Sequence, residues 1–127
     1  MPVDKNIRIL IVDDQENAAA MLKNQLKKLG FANIDVVTGG DAALAKMQTV
    51  KDYGLFLCDW SMSDVSGLDV LRQVRADEQL SRARFLMVTG NTRAEDVTAA
   101  REAGVNGYIV KPYNLATLQK RVEGVLA

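Results

Sequence analysis

The chain alternates short apolar runs with longer segments of helical periodicity, and that alternation limits its fold more than any other feature. The apolar runs fall at 7–12, 34–37, 55–58, 85–88 and 108–110. Those at 55–58 and 85–88 are continuously apolar, as in strands buried on both faces of a parallel sheet. Between the runs, Leu22, Leu26 and Leu29 share one helical face over 16–29, and Gly30 follows as a natural helix stop. A second helix after Thr38-Gly39-Gly40-Asp41 carries Leu44 and Met47, and a third over 67–76 carries Leu68, Leu71 and Val74. Ala94, Val97 and Ala100 stripe a fourth over 93–103, before Gly104. Leu115, Leu118, Val122 and Val125 stripe the last.

Strand–helix alternation of this kind predicts (βα)5, an α/β doubly wound three-layer sandwich with right-handed crossovers. The flavodoxin-like parallel order 2-1-3-4-5 would put the first and third strands side by side at the switch point of the sheet. A chain of 127 residues is expected to form one domain, 1–127, large enough to bury a core without metal or disulfide staples.

Composition excludes several kinds of function. Lys+Arg and Asp+Glu both number 16, so no net charge favours nucleic acid or an anionic membrane. Apolar stretches of four to six residues are too short to span a bilayer. The opening, with Asp4 and Lys5, has no signal-peptide pattern. One cysteine, Cys58, rules out an internal disulfide and points to the cytoplasm. Without histidine, Ser-His and Cys-His hydrolysis is impossible, and a zinc site is nearly excluded.

Four of the five runs stop at residues with chemistry to offer. Asp13 and Asp14 follow the first, Asp59 the third, Thr89 the fourth, and Lys111-Pro112 the fifth. In a parallel sheet these stops share the carboxyl-terminal rim. Each has an ordinary reading alone: the Asp pair as a helix cap, Asp59 as a turn former, Thr89 as part of a loop, Lys111 as a solvated cation. Together they form a site for a divalent cation and a phosphoryl group. Clustered carboxylates need a neutralising cation, and Mg²⁺ accepts a few carboxylates while bridging to phosphate. A carboxylate can attack phosphorus, and Asp59, on the central strand, is the expected nucleophile. Lys111 would balance phosphoryl charge, and the Thr89 hydroxyl would donate to a phosphoryl oxygen.

Motifs along almost the whole chain resemble the receiver domains of bacterial two-component response regulators, most closely the single-domain chemotaxis regulators. They are Ile9-Leu10-Ile11-Val12-Asp13-Asp14, Asp59-Trp60-Ser61-Met62, Ser66-Gly67-Leu68, Met87-Val88-Thr89 and Gly107-Tyr108-Ile109-Val110-Lys111-Pro112. The order 2-1-3-4-5 is the documented one for those regulators, so it is not an independent deduction here. The resemblance implies that Asp59 accepts a phosphoryl group from the phosphohistidine of a sensor histidine kinase. It further implies that Asp14, Asp59 and the Ser61 backbone carbonyl bind Mg²⁺, with Asp13 helping through water. Thr89 and Lys111 would contact the phosphoryl oxygens, and the Lys111–Pro112 bond would be cis. Thr89 and Tyr108 would form the switch that reshapes the helix 4–strand 5–helix 5 face. An output protein would bind there, the flagellar motor switch in a chemotactic setting. Arg93, Val97, Tyr113 and Arg121 are candidate contacts by the same resemblance. Catalysis would be limited to slow self-phosphorylation and dephosphorylation of a monomer, with phosphorylation-dependent dimerisation open.

The match has departures. Ser63 stands where many receivers carry proline, which predicts a more mobile metal loop. Gln15 replaces a frequent aromatic, and Ser61 and Asn91 occupy positions that tune phosphoryl lifetime. Thr38-Gly39-Gly40-Asp41 reads as loop variation without functional meaning. Competing readings are a receiver belonging to a larger regulator or hybrid kinase, a phosphate sink, a flavodoxin-like cofactor binder and a carboxylate-nucleophile phosphatase. The acidic first loop speaks against flavin, and Ser61, where a second Asp would stand, against the phosphatase.

Overall fold

The computed structural model describes residues 3–127; the first two residues of the expected domain lie outside this range. All ten expected elements are present, in the expected alternation. The strands are β1 (Arg8–Val12), β2 (Asn33–Val37), β3 (Tyr53–Cys58), β4 (Arg84–Thr89) and β5 (Gly107–Val110). The helices are α1 (Glu16–Lys28), α2 (Gly40–Thr49), α3 (Gly67–Ala76), α4 (Ala94–Glu102) and α5 (Leu115–Leu126). The strands pair in parallel in the order β2-β1-β3-β4-β5.

Alternation along the strands divides the core in two. Ile9, Ile11, Leu55, Leu57, Leu86, Val88 and Ile109 meet α1 and α5 residues such as Leu22, Leu26, Leu118 and Val122. Leu10, Val12, Phe56, Cys58, Phe85 and Met87 point the other way, onto Ala43 and Met47 of α2 and Val70, Leu71 and Val74 of α3. Central strands with both faces covered are continuously apolar for this reason. None of the described helices is long and apolar enough to cross a membrane.

Two boundaries differ from the expectation for identifiable reasons, and the glycine stops do not. β3 starts two residues before its apolar run, because Tyr53 pairs with Arg8 across an irregularity between Arg8 and Ile9. That irregularity sits where the Ile7 side chain lies over Gly54, with no room for a Cβ. Neither Asp13 nor Asp14 caps α1. Gln15 is the N-cap residue, and Asp13 Oδ1 accepts its backbone N–H at 2.9 Å in a tight Asx turn. Gly30 and Gly104 end α1 and α4 at φ of 99° and 94°, left-handed conformations that suit glycine.

The Gly39-Gly40 pair, expected as loop variation, has a packing role. Gly39 has φ 147°, and a Cβ on Gly40 would lie 2.6 Å from both the Cβ and the carbonyl oxygen of Val65. The two glycines let the β3–α3 loop pack directly on the start of α2.

Candidate functional site

Parallel strands deliver their final residues to one rim, and the polar stops meet there. Asp13 follows β1 and is buried, and its backbone N–H donates to the Val37 carbonyl at 3.2 Å. Asp59 follows β3, its backbone N–H bonded to the Val12 carbonyl at 2.9 Å, which sets the two acidic loops side by side. Lys111 follows β5 and reaches between them. Its ammonium donates to Asp13 Oδ2 at 3.1 Å and to Asp59 Oδ2 at 3.3 Å. Burial works against the ammonium charge, but the hydrogen bonds and negative charges of Asp13 and Asp59 outweigh it and hold the Lys111 pKa above its ordinary value. The Lys111–Pro112 peptide is cis, as expected.

The remaining stops surround this triad. Asp14 is partly exposed, and its Oδ2 accepts the Ser63 backbone N–H at 3.0 Å. The Ser61 N–H points to Asp59 Oδ1 at a long 3.4 Å. Thr89 is buried at the end of β4, and its hydroxyl oxygen accepts the Asn91 N–H at 3.2 Å. Tyr108, on β5, packs against the α3 side of the core. Its hydroxyl is enclosed with no hydrogen-bond partner among the described residues. Burial, then the charge of Asp96, pushes that hydroxyl's pKa up. The hydroxyl that the switch would draw inward is thus already out of water.

The loop from Asp59 to α3, where Ser63 in place of proline predicts greater mobility, carries backbone hydrogen bonds along its length. At its base the Gly67 N–H donates to the Trp60 carbonyl at 2.9 Å, and a Cβ on Gly67 would overlap the Asp59 carbonyl oxygen. In the middle, Ser63 supplies to Asp14 an N–H that proline lacks. At the far side Asp64 accepts the N–H groups of Gly40 at 3.1 Å and Asp41 at 3.0 Å. Those backbone bonds hold the Asp64 carboxyl below its usual pKa. Trp60, half-buried, packs on the same side of the core. Cys58 is fully buried, and burial pushes its thiol pKa well up, as befits a small core residue.

Among the described residues no three acidic, His or Cys side chains already stand in metal-ligand array. The carboxylate oxygens are instead held by Lys111 and by the N–H groups of Gln15, Ser61 and Ser63. The donor set nonetheless fits a hard cation. It is all oxygen, it faces partly into water at Asp14, and a carboxylate offers about four acceptor positions, so sites remain open on each.

The family model described as response regulator receiver domain matches residues 9–123. This chain is a receiver domain. It is 39% identical over 123 residues to chemotaxis protein CheY-3 of Vibrio cholerae serotype O1, covering 97% of this chain and 94% of that protein. It is 38% identical to chemotaxis protein CheY of Pseudomonas aeruginosa, covering 94% and 95%. Among solved structures, Vibrio cholerae chemotaxis protein CheY4 superposes with a TM-score of 0.88 at 29% identity, covering 95% of this chain and 99% of that one. Receiver domains of this kind are signalling modules that bind Mg²⁺ at an acidic pocket and work with histidine kinases and output targets.

The receiver's expected site residues divide by position. Asp13, Asp59 and Lys111 are in contact. Asp14 and Ser61 belong to the adjoining loops, while Thr89 and Tyr108 stand one and two strands away from Asp59 on β4 and β5. Of the candidate output contacts, Arg93 and Arg121 are exposed and Val97 partly so. Tyr113 departs from that face: its hydroxyl donates to Gln25 Oε1 of α1 at 3.1 Å, and its ring packs on the α1–α5 core. Asp64 was not legible in the sequence as part of the site, since it marks no strand end.

Proposed function

We propose that the chain is a phospho-acceptor response regulator whose Asp59 receives a phosphoryl group from a sensor histidine kinase. An Asp59 carboxylate oxygen attacks phosphorus, a P–O bond forms, and the P–N bond to the donor imidazole breaks with its electron pair on nitrogen. The observation that carries this reading is the placing of Asp59 at the end of the central strand, 3.3 Å from the Lys111 ammonium and beside Asp13. Asp14, Asp59 and the Ser61 carbonyl would hold Mg²⁺, with Asp13 contributing through water. The cation supplies charge neutralisation between the carboxylates and the incoming phosphoryl oxygens. Lys111 then turns from pairing carboxylates to pairing a phosphoryl oxygen. The Thr89 hydroxyl proton, which has no acceptor among the described residues, is available to donate.

Thr89 and Tyr108 convert this charge into shape. The unpartnered Tyr108 hydroxyl beneath the α4 side of β5 makes that ring free to exchange environments. Three or so charge-assisted hydrogen bonds of about 1.5–3 kcal/mol each give about 4.5–9 kcal/mol, a range that spans the ~5.5 kcal/mol needed to move a switch from 1:99 to 99:1. The output surface is the α4–β5–α5 face, with Arg93, Val97 and Arg121 as contacts, and Val110 is 47% exposed on it. The likeness to chemotaxis proteins favours a chemotactic output, for which the target would be the flagellar motor switch, reached by a cytoplasmic receiver domain.

Trp60 fluorescence, read while adding Mg²⁺ and then beryllofluoride as a stand-in for the acyl phosphate, tests the reading. Wild type should respond to both in order, and Asp59→Asn should lose the beryllofluoride response. An equal response in Asp59→Asn would sink it.

A further inference from the structure

The geometry points to Asp64 as a positioning residue for the metal loop, clamping the Ser61–Val65 backbone onto the start of α2. This rests on the receiver reading above and deepens it. The Asp64 carboxylate lies outside the Asp13–Asp59–Lys111 triad and is exposed, yet three backbone N–H groups converge on it. They come from Gly40 at 3.1 Å, Asp41 at 3.0 Å and its neighbour Val65 at 2.7 Å. A carboxylate placed on the first amides of a helix caps orphan donors and sits at the positive end of the helix dipole. Here the cap comes from a different loop. The residue before α2 is Gly39, which offers no side-chain cap, so the role is left to Asp64.

The socket that receives Asp64 is built for close approach. A Cβ on Gly39 would stand 3.0 Å from Asp64 Oδ2, and one on Gly40 would enter the space of Val65. A side chain at Gly40 would lift the loop backbone, and one at Gly39 would press on the Asp64 carboxylate. The other anchors are the Ser63 N–H on Asp14 and the Gly67 N–H on the Trp60 carbonyl. Ser61, whose carbonyl is the expected metal ligand, lies between the Trp60 and Ser63 anchors. Proline at position 63 would restrain the backbone by itself. With Ser63 there, restraint has to come from bonds at either end, and Asp64 makes the outer ones. Releasing the clamp should therefore leave the carboxylates in place and blur the position of the carbonyl ligand.

The test uses the whole chain, titrating Mg²⁺ against Trp60 fluorescence and following amide hydrogen exchange at Ser63 and Val65. Asp64→Ala should weaken Mg²⁺ binding by about tenfold, the lower end for losing a residue that orients a ligand, with faster exchange at both amides. Asp64→Asn keeps an oxygen that accepts N–H bonds and should recover most of the affinity. Gly40→Ala displaces the same loop from the other side and should weaken binding comparably. Thermal unfolding without Mg²⁺ identifies which variants are folded at the titration temperature. Wild-type Mg²⁺ affinity in either folded displacement variant overturns the inference, as does an Asp64→Asn no better than Asp64→Ala. A wild-type chain without any Trp60 response to Mg²⁺ would instead remove the proposed Mg²⁺-dependent phospho-acceptor function, and this inference with it.

Discussion

Replacing Lys111 by methionine isolates the charge arrangement at the rim. The side chain keeps its length and loses an ammonium that is 3.1 Å from Asp13 and 3.3 Å from Asp59. At an effective dielectric constant of about 20, each pair attracts by about 5 kcal/mol before desolvation is counted. Burial of the ammonium offsets part of that, as its competing effect on the Lys111 pKa shows. The Asp13 and Asp59 side chains are only 8% and 12% exposed, so the variant leaves two enclosed negative charges facing each other. Breaking a fully buried pair costs about 3–5 kcal/mol, and because Lys111 is 31% exposed, water moderates the loss to about 2 kcal/mol. Urea unfolding at neutral pH without divalent cations should show that difference. The folded-state pKa of Lys111 is raised, so its contribution is fully present below the unfolded value of about 10.4 and fades as pH rises through the folded value. Millimolar Mg²⁺ should narrow the gap between variant and wild type, because the cation stabilises the folded state that binds it and replaces the missing positive charge. A variant as stable as wild type without Mg²⁺, or a gap that Mg²⁺ leaves unchanged, refutes the reasoning.

Two further substitutions probe the scaffold. Arg75 donates to the carbonyls of Ser81, Ala83 and Gly104 and to Asn106 Oδ1, tying α3 to the loops that precede β4 and β5. Arg75→Ala should lower the unfolding free energy by about 2–3 kcal/mol by leaving those acceptors unpaired, and a change below 0.5 kcal/mol in urea titration would contradict that role. Tyr53 donates to Asp35 at 2.6 Å, and that hydrogen bond, more than the Arg8 charge, holds the Asp35 carboxyl below its usual pKa. Tyr53→Phe should cost about 1 kcal/mol near neutrality. The depressed pKa means this stabilisation is present above about pH 4 and lost as pH falls through the folded value, so acid unfolding curves of the two proteins should converge.

Sequence by itself determined the architecture. Hydrophobic period is a local property: continuous apolar runs make strands covered on both faces, and three- and four-residue spacing makes helices that cover them. The polar stops at Asp13, Asp59 and Lys111 were legible for the same reason, since parallel strands must end on one rim. Tertiary structure decided how that rim is held together. Ser63 meets Asp14 across 49 positions, Asp64 meets Gly40 across 24, and Tyr113 turns to Gln25 across 88. The first two rest on backbone N–H groups, which every residue except proline carries and no side-chain pattern reveals. Ser63 read as a missing restraint and Gly39-Gly40 as spare loop. Only with the β3–α3 loop laid against α2 do the absent ring and the absent Cβ atoms become, respectively, a donor and a socket.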